Sequence, residues 1–178
     1  MKDLLVYAYG SNLCVERLRA RTPSARVVGV GTVRGYALRW HKRCPDGSGK
    51  CNALFTGAER DVVWGVVYEL APEEKPVLDR FEGLGHDYFE KTLCVNMLDG
   101  GALEAVAYLA NPTLIEEGAR PFPWYKGFVV TGARQHGFPD EYRALLEAVE
   151  TLDDANAERH ARESATLELA LRQLRERS

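Results

Sequence analysis

The stretch VVWGVVYEL, residues 62–70, is apolar on both of the faces that a strand presents. Val62, Trp64, Val66, Tyr68 and Leu70 share one face, while Val63 and Val67 line the other. Side chains alternate along a strand, so such a run belongs in the middle of a sheet with cover on both sides. Other strand-like segments surround it without regular helices between them. Residues 3–9 read as a buried strand, 26–40 as a long extended region, and CNALFTG as a strand after the turn region HKRCPDGSGK. YFEKTLCVNML and ALEAVAYLA follow, joined at DGG, a hairpin signal. Strands that recur in this way favour an α+β fold, a small mixed β-barrel flanked by helices, over a doubly wound sheet. Gly29, Gly31 and Gly35 form GxGxxxG inside the extended region. They do not open a helix as a dinucleotide fingerprint would, and within strands they mark bulges and barrel corners.

Helical segments are fewer. One follows residue 9, with Ser11 or Asn12 expected to cap it, and stops near Thr22 because Pro23 forces its predecessor out of helical geometry. APEEKPVLDRFEGLG reads as a short helix, with Pro72, Glu73 and Glu74 at its start and Gly83 and Gly85 at its end. Val77, Leu78 and Phe81 are its expected buried stripe. A proline-marked loop leads to YKGFVVTGARQHG, whose Val-Val-Thr favours a strand but whose stop at Gly137, with Pro139 beyond, is a helix ending. DEYRALLEAVE is amphipathic, with Leu145, Leu146 and Val149 expected to face inward. From Asp153 the composition turns charged, with Leu167, Leu171 and Leu174 at helical spacing. The expected division is a domain over 1–152 and an added C-terminal helix within 153–178. That helix lies on the domain or on a partner subunit, which makes a homodimer one expectation.

At 178 residues and 46% hydrophobic content the chain can bury one real core. A net charge of −3 carries no footprint for nucleic acid or an anionic membrane. No apolar run approaches the roughly 20 residues of a membrane helix, and MKDLLVYAYGSN reads as strand rather than signal peptide. Four cysteines, Cys14, Cys44, Cys51 and Cys94, form no CxxC pair and are expected as reduced thiols in a cytoplasm. Cys44 and Cys51, with His41 nearby, fit no common zinc spacing and read as a surface hairpin with incidental thiols. His41, His86, His136 and His160 fall in turns or on a polar helix and read as solvated. There is no phosphate loop, GxSxG elbow or HExxH pair, so neither cofactor nor metal is expected.

Two features invite chemistry. Tyr9-Gly10-Ser11-Asn12 places a small residue, a hydroxyl and an amide where strand becomes helix. On residue types alone this is a good helix cap or a cradle for a partly negative oxygen. Glu82, at the end of VLDRFEG, stands beside the apolar stripe of its helix. It is either a solvated helix-end glutamate or a general acid/base, and a carboxylate near the helix C-terminus is not placed there for stability. Cys14 as a nucleophile is a remote third reading.

Taken in order, VYAYGSNL, VWGVVYEL, LDRFEG and WYKGFVVTGARQHGFPDEY resemble the gamma-glutamylcyclotransferase family, over roughly residues 3–150. The resemblance implies a barrel-like α+β domain with a cavity over the YGSN loop. It also implies cyclisation of a γ-glutamyl amide to 5-oxoproline with release of the amine, without a cofactor. By the same resemblance Val6, Tyr7, Ala8, Tyr9, Gly10, Ser11 and Asn12 bind the glutamyl group, Glu82 is the general acid/base, and Tyr125 helps hold the substrate. Tyr88 is a further pocket residue, although the loop before it is one residue shorter than the pattern. RWHKRCPDGSGK and PFPW depart from the family's pattern and are where the leaving group is expected to be chosen. A non-catalytic binding domain that kept the fold is the competing reading.

Overall fold

The computed structural model describes residues 4–176, so the expected strand start at residue 3 and the last two residues of the extension lie outside it. Five strands close into a barrel: β1 (Leu4–Ala8), β2 (Arg26–Arg34), β5 (Val62–Leu70), β6 (Tyr88–Met97) and β7 (Ala102–Ala110). Their order around the barrel is β1-β5-β2-β6-β7. β7 returns to β1 through a parallel pairing at Val6–Val106, and the other seams are antiparallel. A separate hairpin, β3 (Tyr36–Arg43) with β4 (Gly49–Phe55), stands beside it. The fold is thus the expected α+β mixed barrel, and VVWGVVYEL is its central strand, between β1 and β2.

The strand glycines are where backbones come close. The β2–β5 register shifts between Val27 and Gly29. A Cβ on Gly31 would collide with Val95 of β6, and one on Gly65 would sit inside the Tyr7 ring. The Tyr7 hydroxyl reaches the Val63 carbonyl at 2.9 Å and the Gly31 carbonyl at 3.2 Å, tying three strands together. Its ring and hydroxyl are committed to the barrel.

The helices are α1 (Val15–Arg21), α2 (Lys75–Glu82), α3 (Pro123–Gln135), α4 (Asp140–Glu147) and α5 (Ala157–Glu176). Val-Val-Thr lies in the middle of α3, and the helix begins two residues earlier than expected, with Pro123 in its first turn and Trp124 and Tyr125 behind it. Burial decides the outcome: Val129 and Thr131 are packed away, and tertiary contact outweighs their strand preference. Gly132 lets α3 press directly on the backbone of Leu13 and Cys14. α5 lies on its own domain, with Leu167 over Gly127 of α3, Ala170 buried, and Glu163 paired with Arg17 of α1 at 2.7 Å.

Several local expectations are corrected. The chain does not run straight into a helix after Gly10. A 3-10 turn, Ser11–Leu13, comes first, and neither Ser11 nor Asn12 caps a helix with its side chain. Phe81 is not buried; it is 56% exposed and its ring carries the Arg21 guanidinium at 4.9 Å. Only Leu78 is fully buried on α2. Leu145 is exposed, because α4 turns only Leu146 fully inward. His41 is buried between Glu117 and Asn52, and His136 sits under the 3-10 turn, so neither is a solvated surface histidine. Cys51 is buried as well.

Candidate active site

β1 ends at Ala8 and delivers Tyr9, Gly10, Ser11 and Asn12 to the barrel mouth. The first hydrogen bond of the 3-10 turn runs from the Leu13 N–H to the Gly10 carbonyl at 3.0 Å. The amides of Gly10, Ser11 and Asn12 therefore come before the turn's own bonding, as at the head of any helix. Gly10 fits a tight place: a Cβ there would stand 3.1 Å from the Cys51 Cβ and 3.3 Å from the Tyr125 hydroxyl, so either neighbour would have to give by a few tenths of an ångström. Below the turn, the Leu13 carbonyl accepts from the Tyr68 hydroxyl at 2.9 Å and lies 3.0 Å from His136 Nε2.

Burial pushes the His136 imidazole below its ordinary 6.5. The folded protein therefore resists protonation there more than the unfolded chain does. The stability this site contributes is complete above pH 6.5 and is lost as pH falls through the depressed folded value. Thermal unfolding followed between pH 7 and 5 is expected to show a Tm loss that is smaller in His136→Gln.

Glu82 is the last residue of α2, and Gly83, with φ +61°, turns the chain immediately after it. Its Oε1 accepts from Asn12 Nδ2 at 2.8 Å and from Arg21 Nη1 at 3.2 Å. Arg21 Nη1 also donates to Asn12 Oδ1 at 2.9 Å, closing a triangle. Both bonds to Glu82 end on one oxygen, and Oε2 has no hydrogen bond among the described residues. Burial, with Arg17 close by, brings the Arg21 guanidinium down to about 10, still charged at neutral pH. Arg17 Nε donates to Ser11 Oγ at 3.1 Å. The hydroxyl and amide expected to cap a helix are thus held by two arginines one turn apart on α1.

Across the cavity, two tyrosines clamp the backbone of one residue, Cys51, from both sides. The Tyr88 hydroxyl donates to the Cys51 carbonyl at 3.0 Å, and the Cys51 N–H donates to the Tyr125 hydroxyl at 3.1 Å. The Tyr125 proton is shared between the Cys51 sulfur beside it and any ligand, whereas Tyr88 keeps acceptor lone pairs. Burial pushes both hydroxyls well above 10, so both stay protonated. Tyr9 donates to the Tyr108 carbonyl, and Tyr108 to Asp79 at 2.6 Å. Burial also pushes the Cys14 thiol up to about 12, which makes it a poor nucleophile.

Val6, Tyr7, Ala8, Tyr9, Gly10, Ser11, Asn12, Glu82, Tyr88 and Tyr125 line one narrow cavity of about 50 Å³. Leu18, Cys51 and Tyr108 complete the wall. A second chamber shares Ser11, Glu82, Tyr88 and Tyr125 with the first and adds Arg17, Arg21 and Lys50 among its walls. Sequence reasoning missed the arginines, Cys51, Tyr108 and Lys50. The spacing of Arg17 and Arg21, four apart just beyond the YGSN loop, is the one signal that pointed to a shared face.

A family model described as AIG2-like matches residues 62–146. Mouse gamma-glutamylcyclotransferase is 32% identical over 161 residues, covering 84% of this chain and 80% of the mouse protein. The chain belongs to the gamma-glutamylcyclotransferase family. The human gamma-glutamylcyclotransferase is 31% identical over 160 residues, covering 85% of this chain and 81% of its own. A solved gamma-glutamyl cyclotransferase superposes with a TM-score of 0.79 at 27% identity, over 92% of this chain and 99% of that one. This family member is an enzyme of the gamma-glutamylcyclotransferase type, and its barrel is the one its structural relatives share. No helix among its described residues is long and apolar enough to cross a membrane.

Proposed function

We propose that this enzyme cyclises a γ-glutamyl amide, with Glu82 moving the protons. The observation that supports this best is the position of Glu82 on the seam between two chambers. One chamber suits the glutamyl chain and the other the amine that leaves. The α-nitrogen of the substrate attacks its own γ-carbonyl carbon, a new C–N bond closes the five-membered ring, and the bond to the leaving nitrogen breaks. Two protons depart from the α-ammonium and two end on the released amine, so one carboxylate can carry each across in turn. The reaction is an acyl transfer within one molecule, formally a lyase step, and its products are 5-oxoproline and the free amine.

Each remaining group has work in that scheme. Holding the chain bent for ring closure is worth about 7–11 kcal/mol in favourable intramolecular cases. The amides of Gly10 to Asn12 and the Tyr125 hydroxyl offer donors to the γ-carbonyl oxygen as charge develops on it; one such donor is worth about 2.7–4 kcal/mol. Tyr88 and Tyr9, acceptors with their protons committed elsewhere, suit the ammonium. Arg21 and Asn12 hold the carboxylate in place. The free cysteines suit a reducing cytoplasm.

The test is 5-oxoproline release from a panel of γ-glutamyl amides with amino-acid, alkylamine and aminosugar leaving groups. Product from the wild type supports the reading, and silence across the panel would turn it towards a binding domain. Tyr125→Phe keeps the ring and loses the donor. It is expected to raise KM by about tenfold, the value of one hydrogen bond to a ligand. Unchanged KM and kcat would remove Tyr125 from the site.

A further inference from the structure

The second chamber holds its charges in pairs, with one exception. Arg21 pairs with Glu82 at 3.2 Å, Arg17 with Glu163 of α5 at 2.7 Å, and Lys42 with Asp87. Lys50, the residue before the clamped Cys51, lines the same chamber. Its Nζ is buried and has no hydrogen-bond partner. It rests among three rings, 4.2 Å from the Tyr125 centroid, 4.5 Å from Trp124 and 5.4 Å from Phe122.

An ammonium has three N–H donors, and leaving all of them unmet in a buried place is unfavourable. Aromatic faces offset part of that cost, but they accept the charge without satisfying the donors. Burial brings the group down to about 8, so it is still mostly protonated at neutral pH. Asp46 acts on this ammonium without a hydrogen bond to it and is itself paired with Arg159 at 2.8 Å, so the ammonium is poised for an anion in direct contact. Its neighbours fix its place: the N–H and carbonyl of Cys51 are held by Tyr125 and Tyr88, and the Gly49 N–H donates to the Arg120 carbonyl at 2.8 Å.

We propose that Lys50 is the specificity-determining residue on the leaving-group side, the one that receives a carboxylate there and so sets the preference between amino-acid and simple-amine leaving groups. The inference rests on the cyclisation reading, because it takes the second chamber as the leaving-group side of Glu82. A carboxylate there accepts from one or two of the three donors and balances the charge that lacks a direct partner. A polyamine or aminosugar leaving group brings further positive charge to a chamber whose one charge without a direct partner, Lys50, is already positive, and is disfavoured.

The experiment compares γ-glutamyl-alanine with γ-glutamyl-ethylamide, which differ only by that carboxylate, and adds the cationic γ-glutamyl-diaminoethane. Wild type is expected to favour the alanine compound over the ethylamide by about 10–100-fold in kcat/KM, the range for one charge-assisted contact, and to turn over the cationic amide least. Lys50→Met, which keeps the bulk among the rings, should bring the alanine-to-ethylamide ratio close to one, chiefly by raising KM for the alanine compound. Lys50→Arg should restore part of the ratio. The melting temperature of Lys50→Met should hold or rise, because an unsatisfied ammonium has gone; this separates lost recognition from lost folding. Equal efficiency of wild type on the alanine compound and the ethylamide, or an equal loss on both in Lys50→Met, overturns the assignment while leaving cyclisation intact. No 5-oxoproline from any of the amides with wild type overturns the cyclisation reading and this assignment with it.

Discussion

Glu82→Gln is expected to lower kcat by about 10²–10⁴-fold, the usual worth of a placed general acid/base, while KM stays within a few-fold of wild type. The substitution is nearly isosteric. The carbonyl oxygen of the new amide can still accept from Asn12, so the loop keeps its shape, and the cavity keeps its volume. What disappears is the ability to hold a proton between the attacking nitrogen and the leaving one. Arg21 then faces a neutral amide, but it retains Asn12 Oδ1 and the face of Phe81. Steady-state 5-oxoproline release and ligand binding, measured on the same preparation, separate the two effects. A kcat near that of wild type would take Glu82 out of the proton path and leave it a structural anchor for Arg21.

Arg21→Met is the second large effect, and it acts on stability and turnover together. The Arg21 and Glu82 side chains are 14% and 15% exposed, so removing the cation leaves a carboxylate with little water and only Asn12 for company. Breaking a buried pair from one side costs about 3 kcal/mol. For a chain of this size that is a Tm loss of roughly 6–12 °C. Turnover should fall as well, because Glu82 and Asn12 lose the group that orients both. The double variant Arg21→Met with Glu82→Gln is expected to melt above Arg21→Met alone, since no uncompensated charge remains. A double-mutant cycle with no coupling would mean that the triangle contributes nothing as a unit.

The frame of this fold is legible in local pattern. A strand apolar on both faces had to be central, and β5 is; the DGG turn joins β6 to β7; and Gly29 falls at a register shift. What local pattern misled about is whatever depends on a distant partner. Ser11 and Asn12 look like caps because their side chains suit the neighbouring backbone, yet Arg17 and Arg21 take them. Phe81 falls on the apolar stripe of α2 by periodicity, but α2 turns Leu78 inward and uses Phe81 as a platform for Arg21. His41 and His136 sit in polar stretches, yet one is buried against Asn52 across its own hairpin and the other against Leu13, at the far end of the sequence. The same holds at the site. The YGSN loop and Glu82 could be singled out from residue type, whereas Lys50 and Cys51 lay inside what reads as a surface turn and enter the pocket only because the hairpin folds over the barrel mouth.

The parallel seam between β1 and β7 has a kinetic consequence. Val6 pairs with Val106 on one side, and all of β1 pairs with β5 on the other, so the strand that presents the YGSN loop has no near neighbour in sequence. Such pairings form late, because the closure of long loops has to precede any gain from the contact. A partly folded chain therefore has no half-made cradle, and activity should appear in refolding only with the last cooperative step. Regain of turnover and regain of tyrosine and tryptophan burial, followed on one refolding sample, should share a single time course.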